Sequence, residues 1–105
     1  IYRMATPELK KLPTWLKLTA ENATITLSRP SEINGVTVDT LTIRSPTVRE
    51  VRAADRASGD DEEQRELMLF AGLCEAGQQD LEGLKLVDYH RLQAGYFRLV
   101  QDDGV

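Results

Sequence analysis

The sequence predicts an α+β fold in which an N-terminal β-hairpin packs on three to four C-terminal α-helices. Three observations lead there. Asn34-Gly35 stands between two short segments of alternating apolar and polar residues. Asn-Gly is the strongest short-range hairpin signal, because both positions of a two-residue turn need positive φ. Ser45-Pro46-Thr47 follows the second segment and reads as a helix start. From Val48 onward the apolar residues recur at helical spacing. A chain of 105 residues is expected to form one domain. Its expected parts are an extended lead-in over 1–22, the hairpin over 23–45 and a helical part over 46–101.

In the lead-in, Thr6-Pro7-Glu8 opens a helical turn, with Thr6 as cap and Pro7 in the first position. Pro13 ends it, since the residue before a proline is pushed out of helical space. Residues 13–18 then run extended, and Trp15, the single tryptophan, is expected on the core. Ile25 and Leu27 alternate with threonine and serine, as in a half-buried strand. The two-residue turn pairs Ile33 with Val36 and Ser31 with Val38. Continued unbroken, that register sets Leu27 opposite Thr42 and splits the apolar face. One extra residue near Asp39-Thr40 sets Leu27 opposite Ile43 instead. A β-bulge is therefore expected there, with Pro30 beside the irregularity or on an edge.

Thr47 and Glu50 have capping-box spacing, and Val48, Val51 and Ala54 line one face of the first helix. Ser58-Gly59 stops it. Asp60 to Glu63 then sit at the N-terminus of the next helix, where carboxylates face the positive end of its dipole. Leu67 to Cys74 are apolar nearly all round, which places this helix at the centre of the fold. Gly77 is expected to end it, and Gln79 to Leu84 form a short turn carrying Leu81 and Leu84. The last helix covers about Leu86 to Gln101, with Asp88, Arg91 and Arg98 toward solvent. Asp102-Asp103-Gly104 is a frayed tail.

The net charge of −4 hides an asymmetry. Up to Arg56 the chain has nine Lys/Arg against six Asp/Glu; beyond it, four against eleven. The acidic balance argues against nucleic acid, whose binding starts from a basic patch. The exception is the group Arg44, Arg49, Arg52 and Arg56, which leaves a small DNA-associated regulator using helix 47–56 as an alternative. No apolar run approaches the ~20 residues of a spanning helix, so no membrane partner is expected. One cysteine, Cys74, allows no internal disulfide and fits a reducing cytoplasm. One histidine, His90, allows no multi-histidine metal site, and its neighbours place it on a polar margin. Residues 55–66 do not follow the ligand plan of a calcium loop. No phosphate-cradling glycine loop, nucleophile elbow or dinucleotide fingerprint occurs. No catalytic residue, metal or cofactor is predicted, and what remains is a surface for binding protein.

The ordered pattern resembles the tail assembly chaperone family of tailed bacteriophages, the Mu-like group found in contractile-tailed phages and prophages. The matching residues are Pro13, Trp15 and Leu16, then Ile25-Thr26-Leu27-Ser28-Arg29-Pro30 and Asn34-Gly35. They continue through Leu41-Thr42-Ile43-Arg44-Ser45-Pro46-Thr47 and Asp60-Asp61-Glu62-Glu63 into Leu67-Met68-Leu69-Phe70-Ala71-Gly72-Leu73-Cys74. The pattern closes with Asp80-Leu81-Glu82-Gly83-Leu84, Asp88-Tyr89, Leu92-Gln93 and Phe97. Lys85 departs from it, since a serine or threonine cap would fit better before the last helix. The resemblance implies a non-enzymatic protein of the bacterial host cytoplasm that coats the phage tape measure protein and leaves before the virion matures. It makes the tail tube protein a second candidate partner. A structural tail subunit retained in the virion is the other alternative.

Two expectations concern surfaces. The opposite charges of the two halves suggest self-association through head-to-tail contacts. On the last helix an apolar arc runs from Leu92 and Leu99 through Tyr89, Tyr96 and Val100 to Leu86 and Phe97. At 3.6 residues per turn it spans about 160°, more than one core needs to cover. One margin is therefore expected to stay exposed as a partner site, with Leu92, Tyr96, Phe97 and Leu99 as its candidate residues.

Overall fold

A computed structural model of the protein describes residues 12–101. The expected Thr6-Pro7 turn and the acidic tail lie outside them. Three antiparallel strands form one sheet in the order β1 (Leu16–Leu18), β2 (Asn22–Ile33), β3 (Val36–Arg44). β1 falls within the expected lead-in and pairs Leu16 with Ile25, so the hairpin is widened to a three-stranded sheet. Three residues are too few for alternation to register in sequence. The turn between β1 and β2 is closed by Thr19, whose hydroxyl accepts from the backbone N–H groups of Glu21 (3.3 Å) and Asn22 (3.0 Å).

The β2–β3 turn has Asn34 at φ 55° and Gly35 at φ 79°, the two positive values that a tight hairpin demands. Ile33 pairs with Val36 and Ser31 with Val38, as expected. The irregularity lies on the opposite strand from the expected one. Thr26 pairs with Thr40 and Ser31 with Val38, so Leu27, Ser28, Arg29 and Pro30 of β2 face only Asp39. Ala23, not Leu27, therefore stands opposite Ile43, and Ile25 opposite Leu41. The physical requirement is the same on either strand: an odd number of extra residues must flip the phase so that both apolar faces point inward. Placing the excess on β2 also puts Pro30, which has no N–H to give, outside the regular ladder. On the outer face, the Thr24 and Thr42 hydroxyls meet at 2.9 Å across the ladder.

Four helices follow: α1 (Val48–Ser58), α2 (Glu62–Cys74), α3 (Gln78–Glu82) and α4 (Leu86–Val100). The capping box forms, with Glu50 N–H donating to Thr47 Oγ1 (3.2 Å) and Thr47 N–H to Glu50 Oε1 (2.9 Å). Arg44, at the end of β3, grips the Glu50 carboxylate with both terminal guanidinium nitrogens, Nη1 at 3.0 Å from Oε1. That contact, with the Thr47 N–H, holds the Glu50 carboxyl down at about 2. Ala54 is buried and Val51 half-buried, but Val48 is 75% exposed, against expectation. It belongs to the first turn, whereas α1 meets α2 through its later alanines.

Asp61 caps α2, accepting from Gln64 N–H at 3.1 Å. Glu75, at φ 58°, is the left-handed residue that ends α2, with Ala76 N–H returning to the Ala71 carbonyl at 2.9 Å. Gly77, expected in that role, instead starts α3. The hairpin turn is tied to this corner. Asn34 Nδ2 donates to the Glu75 carbonyl (2.9 Å), and Asp80 Oδ2 accepts from both Asn34 N–H (3.2 Å) and Gly77 N–H (3.0 Å). Asn34 thus serves the turn by its backbone and the helix end by its side chain.

The sheet's inner face carries Leu16, Ala23, Ile25, Leu27, Leu41 and Ile43, covered by α2 against β3 and by α4 along β2. Phe70, Leu73, Leu81 and Leu92 fill the layer between. The fold is α+β, as the sequence predicts. Full burial of each of these large side chains stabilises the fold by about 1.5–3 kcal/mol before entropy is counted.

Candidate functional site

α4 divides its residues between the sheet and the surface in a way that helical periodicity alone does not reveal. Asp88, Leu92 and Gly95 form the stripe that faces the sheet, and all three are buried. At Gly95 a Cβ would meet Ala23 and Ile25 side-chain carbons at 3.4 Å, so a glycine there lets α4 lie close on β2. Asp88, expected toward solvent, is 1% exposed. Its carboxylate accepts from Ser28 N–H at 2.6 Å and from Ser28 Oγ at 3.2 Å. The correction has a plain cause: the β2 bulge leaves Ser28 N–H without a ladder partner, and an acceptor must come from outside the sheet. Arg91 also turns inward, donating to the Thr26 carbonyl at 2.7 Å and lying 5.2 Å from the centre of the half-buried Trp15 ring.

The four candidate partner residues separate accordingly. Leu92 is fully buried and belongs to the core, because its side of α4 faces the sheet. Tyr96 and Leu99 are half-buried, the Tyr96 ring packing tilted against that of Phe70 with centroids 4.9 Å apart. Phe97 is 59% exposed, and Leu86, Val87 and Val100 are exposed as well. Leu86, Phe97 and Val100 fall on one side of the helix and make an apolar stripe on the surface.

Beside that stripe runs an open groove of about 510 Å³ between α2, α3 and α4. Leu67, Leu84 and Tyr89 supply its apolar floor, and Leu86 forms one lip. At its centre Glu66 Oε1 accepts from Tyr89 OH and from Gln93 Nε2, both at 2.8 Å. Burial, reinforced by the hydrogen bond to the Glu66 carboxylate, pushes the Tyr89 hydroxyl well above its ordinary range. Asp61, Glu63 and Glu82 complete an acidic border. Nothing local in the sequence marks Glu66, because its two donors lie 23 and 27 residues away.

Elsewhere the chemistry is sparse. His90 is exposed on the groove's border. Cys74 is half-buried at the end of α2, and burial pushes its thiol up to about 12, far from a reactive thiolate. Among the described residues no three His, Cys, Asp or Glu side chains are grouped to hold a metal ion, and no helix is long and apolar enough to cross a membrane.

A small α+β domain with an apolar stripe beside an acid-rimmed groove has the features of a protein-binding module. The family model described as phage tail assembly chaperone proteins, E, or 41 or 14, matches residues 24–101, and the chain belongs to that family. No curated protein and no solved structure matches it.

Proposed function

We propose that the protein binds the phage tape measure protein during tail morphogenesis in the host cytoplasm, without catalysis, and is released before the virion matures. The observation that carries this reading is the stripe of Leu86, Phe97 and Val100 on α4. Phe97 is 59% exposed, whereas the other aromatic rings among the described residues, Trp15, Phe70, Tyr89 and Tyr96, are buried or half-buried. Exposed aromatic side chains are the usual anchors of a protein interface. A tape measure protein is expected to be largely helical, and a helix laid along α4 can present side chains to this stripe at i, i+3 and i+7 spacing.

Phe97→Ala tests the reading. Because Phe97 is mostly exposed, the melting temperature should move little, while co-purification with the tape measure protein should fall. A variant that is stable and still co-purifies at the wild-type level removes Phe97 from the site. The DNA alternative keeps one observation in its favour, since Arg49, Arg52 and Arg56 are all exposed on α1. Salt-sensitive duplex binding in a gel shift would favour it over the chaperone reading.

A further inference from the structure

The groove between α2, α3 and α4 combines two properties: an apolar floor and a border of carboxylates with no Lys or Arg among its lining residues. The ion pairs among the described residues are Arg44–Glu50 and Arg65–Asp55, and none of these four residues lines the groove. Glu63 and Glu82 are exposed and make no side-chain hydrogen bond or ion pair among the described residues. Glu66 is half-buried and held in place, since Oε1 takes the bonds from Tyr89 and Gln93 while Oε2 accepts none among the described residues. A half-buried carboxylate fixed through one oxygen, with the other free, suits a charge-assisted hydrogen bond from an incoming cation.

Resting on the client binding proposed above, we infer that this groove receives a basic amphipathic helix of the client. The helix seats its apolar stripe on Leu67, Leu84 and Tyr89 and pairs Lys or Arg side chains with Glu63, Glu66 and Glu82. Charge complementarity selects a basic occupant over an acidic or neutral one, because like charges brought against these unpaired carboxylates are repelled. The apolar floor selects a helix with one greasy face over an extended basic segment. A second copy of this chain does not meet both demands. Its basic helix α1 carries exposed Arg49, Arg52 and Arg56, but turns Val51 and Ala54 into its own core and leaves Val48 as its exposed large apolar side chain.

The test uses the intact protein and three labelled synthetic helices of about five turns with one leucine pattern, whose polar face is Lys, Glu or Gln. Fluorescence anisotropy should show binding of the Leu/Lys helix, weakened by added salt, and none of the Leu/Glu helix. Glu63→Gln combined with Glu66→Gln should weaken it on the order of tenfold. Glu21→Gln combined with Glu32→Gln removes the same charge from the exposed sheet side and should leave binding unchanged. Equal binding to both double variants, or binding of the Leu/Glu helix as tight as that of the Leu/Lys helix, overturns the assignment. So does concentration-dependent self-association of the wild type that Glu63→Gln combined with Glu66→Gln abolishes, which puts a second copy in the groove. None of these outcomes bears on Phe97→Ala and tape measure co-purification, so failure of the groove and failure of the client reading are distinguishable.

Discussion

Replacing Asp88 by alanine should destabilise the protein more than any other single change of a polar side chain on α4. The carboxylate is 1% exposed and carries two hydrogen bonds to one residue, Ser28, in the bulge of β2. Hydrogen bonds to a charged group contribute about 1.5–3 kcal/mol each at most, and the 3.2 Å hydroxyl contact belongs at or below the bottom of that range. Two effects reduce the total. Ser28 is itself exposed, so water reaches part of what the carboxylate leaves. Removing a buried charge also recovers some of its desolvation cost. A net loss of about 2 kcal/mol results, or roughly 8–16 °C in melting temperature for a domain of this size. Asp88→Asn keeps an acceptor for Ser28 N–H and should lose less; Ser28→Ala, which removes only the hydroxyl contact, should lose least. Urea denaturation followed by Trp15 fluorescence and by circular dichroism measures all three, and amide exchange at Ser28 should accelerate in Asp88→Ala. Asp88→Ala within about 0.5 kcal/mol of wild type, with Ser28 N–H still protected, would refute the view that Asp88 holds the bulge.

Three further outcomes are expected. The Glu50 carboxyl is lowered in the folded state from an ordinary 4.5 to about 2, so its stabilisation is complete above about pH 4.5 and is lost as the pH falls through 2. Acid titration of Glu50→Gln against wild type should show a stability gap that is constant at neutral pH and closes over that window; a gap that persists at the acid end contradicts the Arg44 pairing. Gly95→Leu forces side-chain atoms into the 3.4 Å contacts with Ala23 and Ile25 and should cost about 1–3 kcal/mol, read as a lowered denaturation midpoint at unchanged slope. Cys74, with its thiol pushed up to about 12, should react slowly with a thiol reagent at pH near 8 and faster after denaturation. Equal rates in the two states would mean that the end of α2 opens readily.

Local chemistry makes several elements legible in the order of residues alone. Asn34-Gly35 specifies its turn because two adjacent positive φ values are tolerated by few other residue pairs. Thr47 and Glu50 specify the start of α1 because a capping box is complete within four residues. The need for an odd insertion in the hairpin is legible too, since apolar parity is a property of each strand. Which strand carries the insertion is not. That depends on α4, whose Asp88 lies 60 residues from Ser28 and supplies the acceptor that a bulge in β2 requires. The same packing sorts the apolar arc of α4, burying Leu92 behind Gly95, half-covering Tyr96 and Leu99 and leaving Phe97 in solvent. It also brings Glu66 under Tyr89 and Gln93. Patterns that close within a turn or a strand are complete in a few consecutive residues. Which side of a helix meets the sheet, and which carboxylate is buried, are decided by contacts between segments far apart in sequence, and only the assembled fold sets those distances.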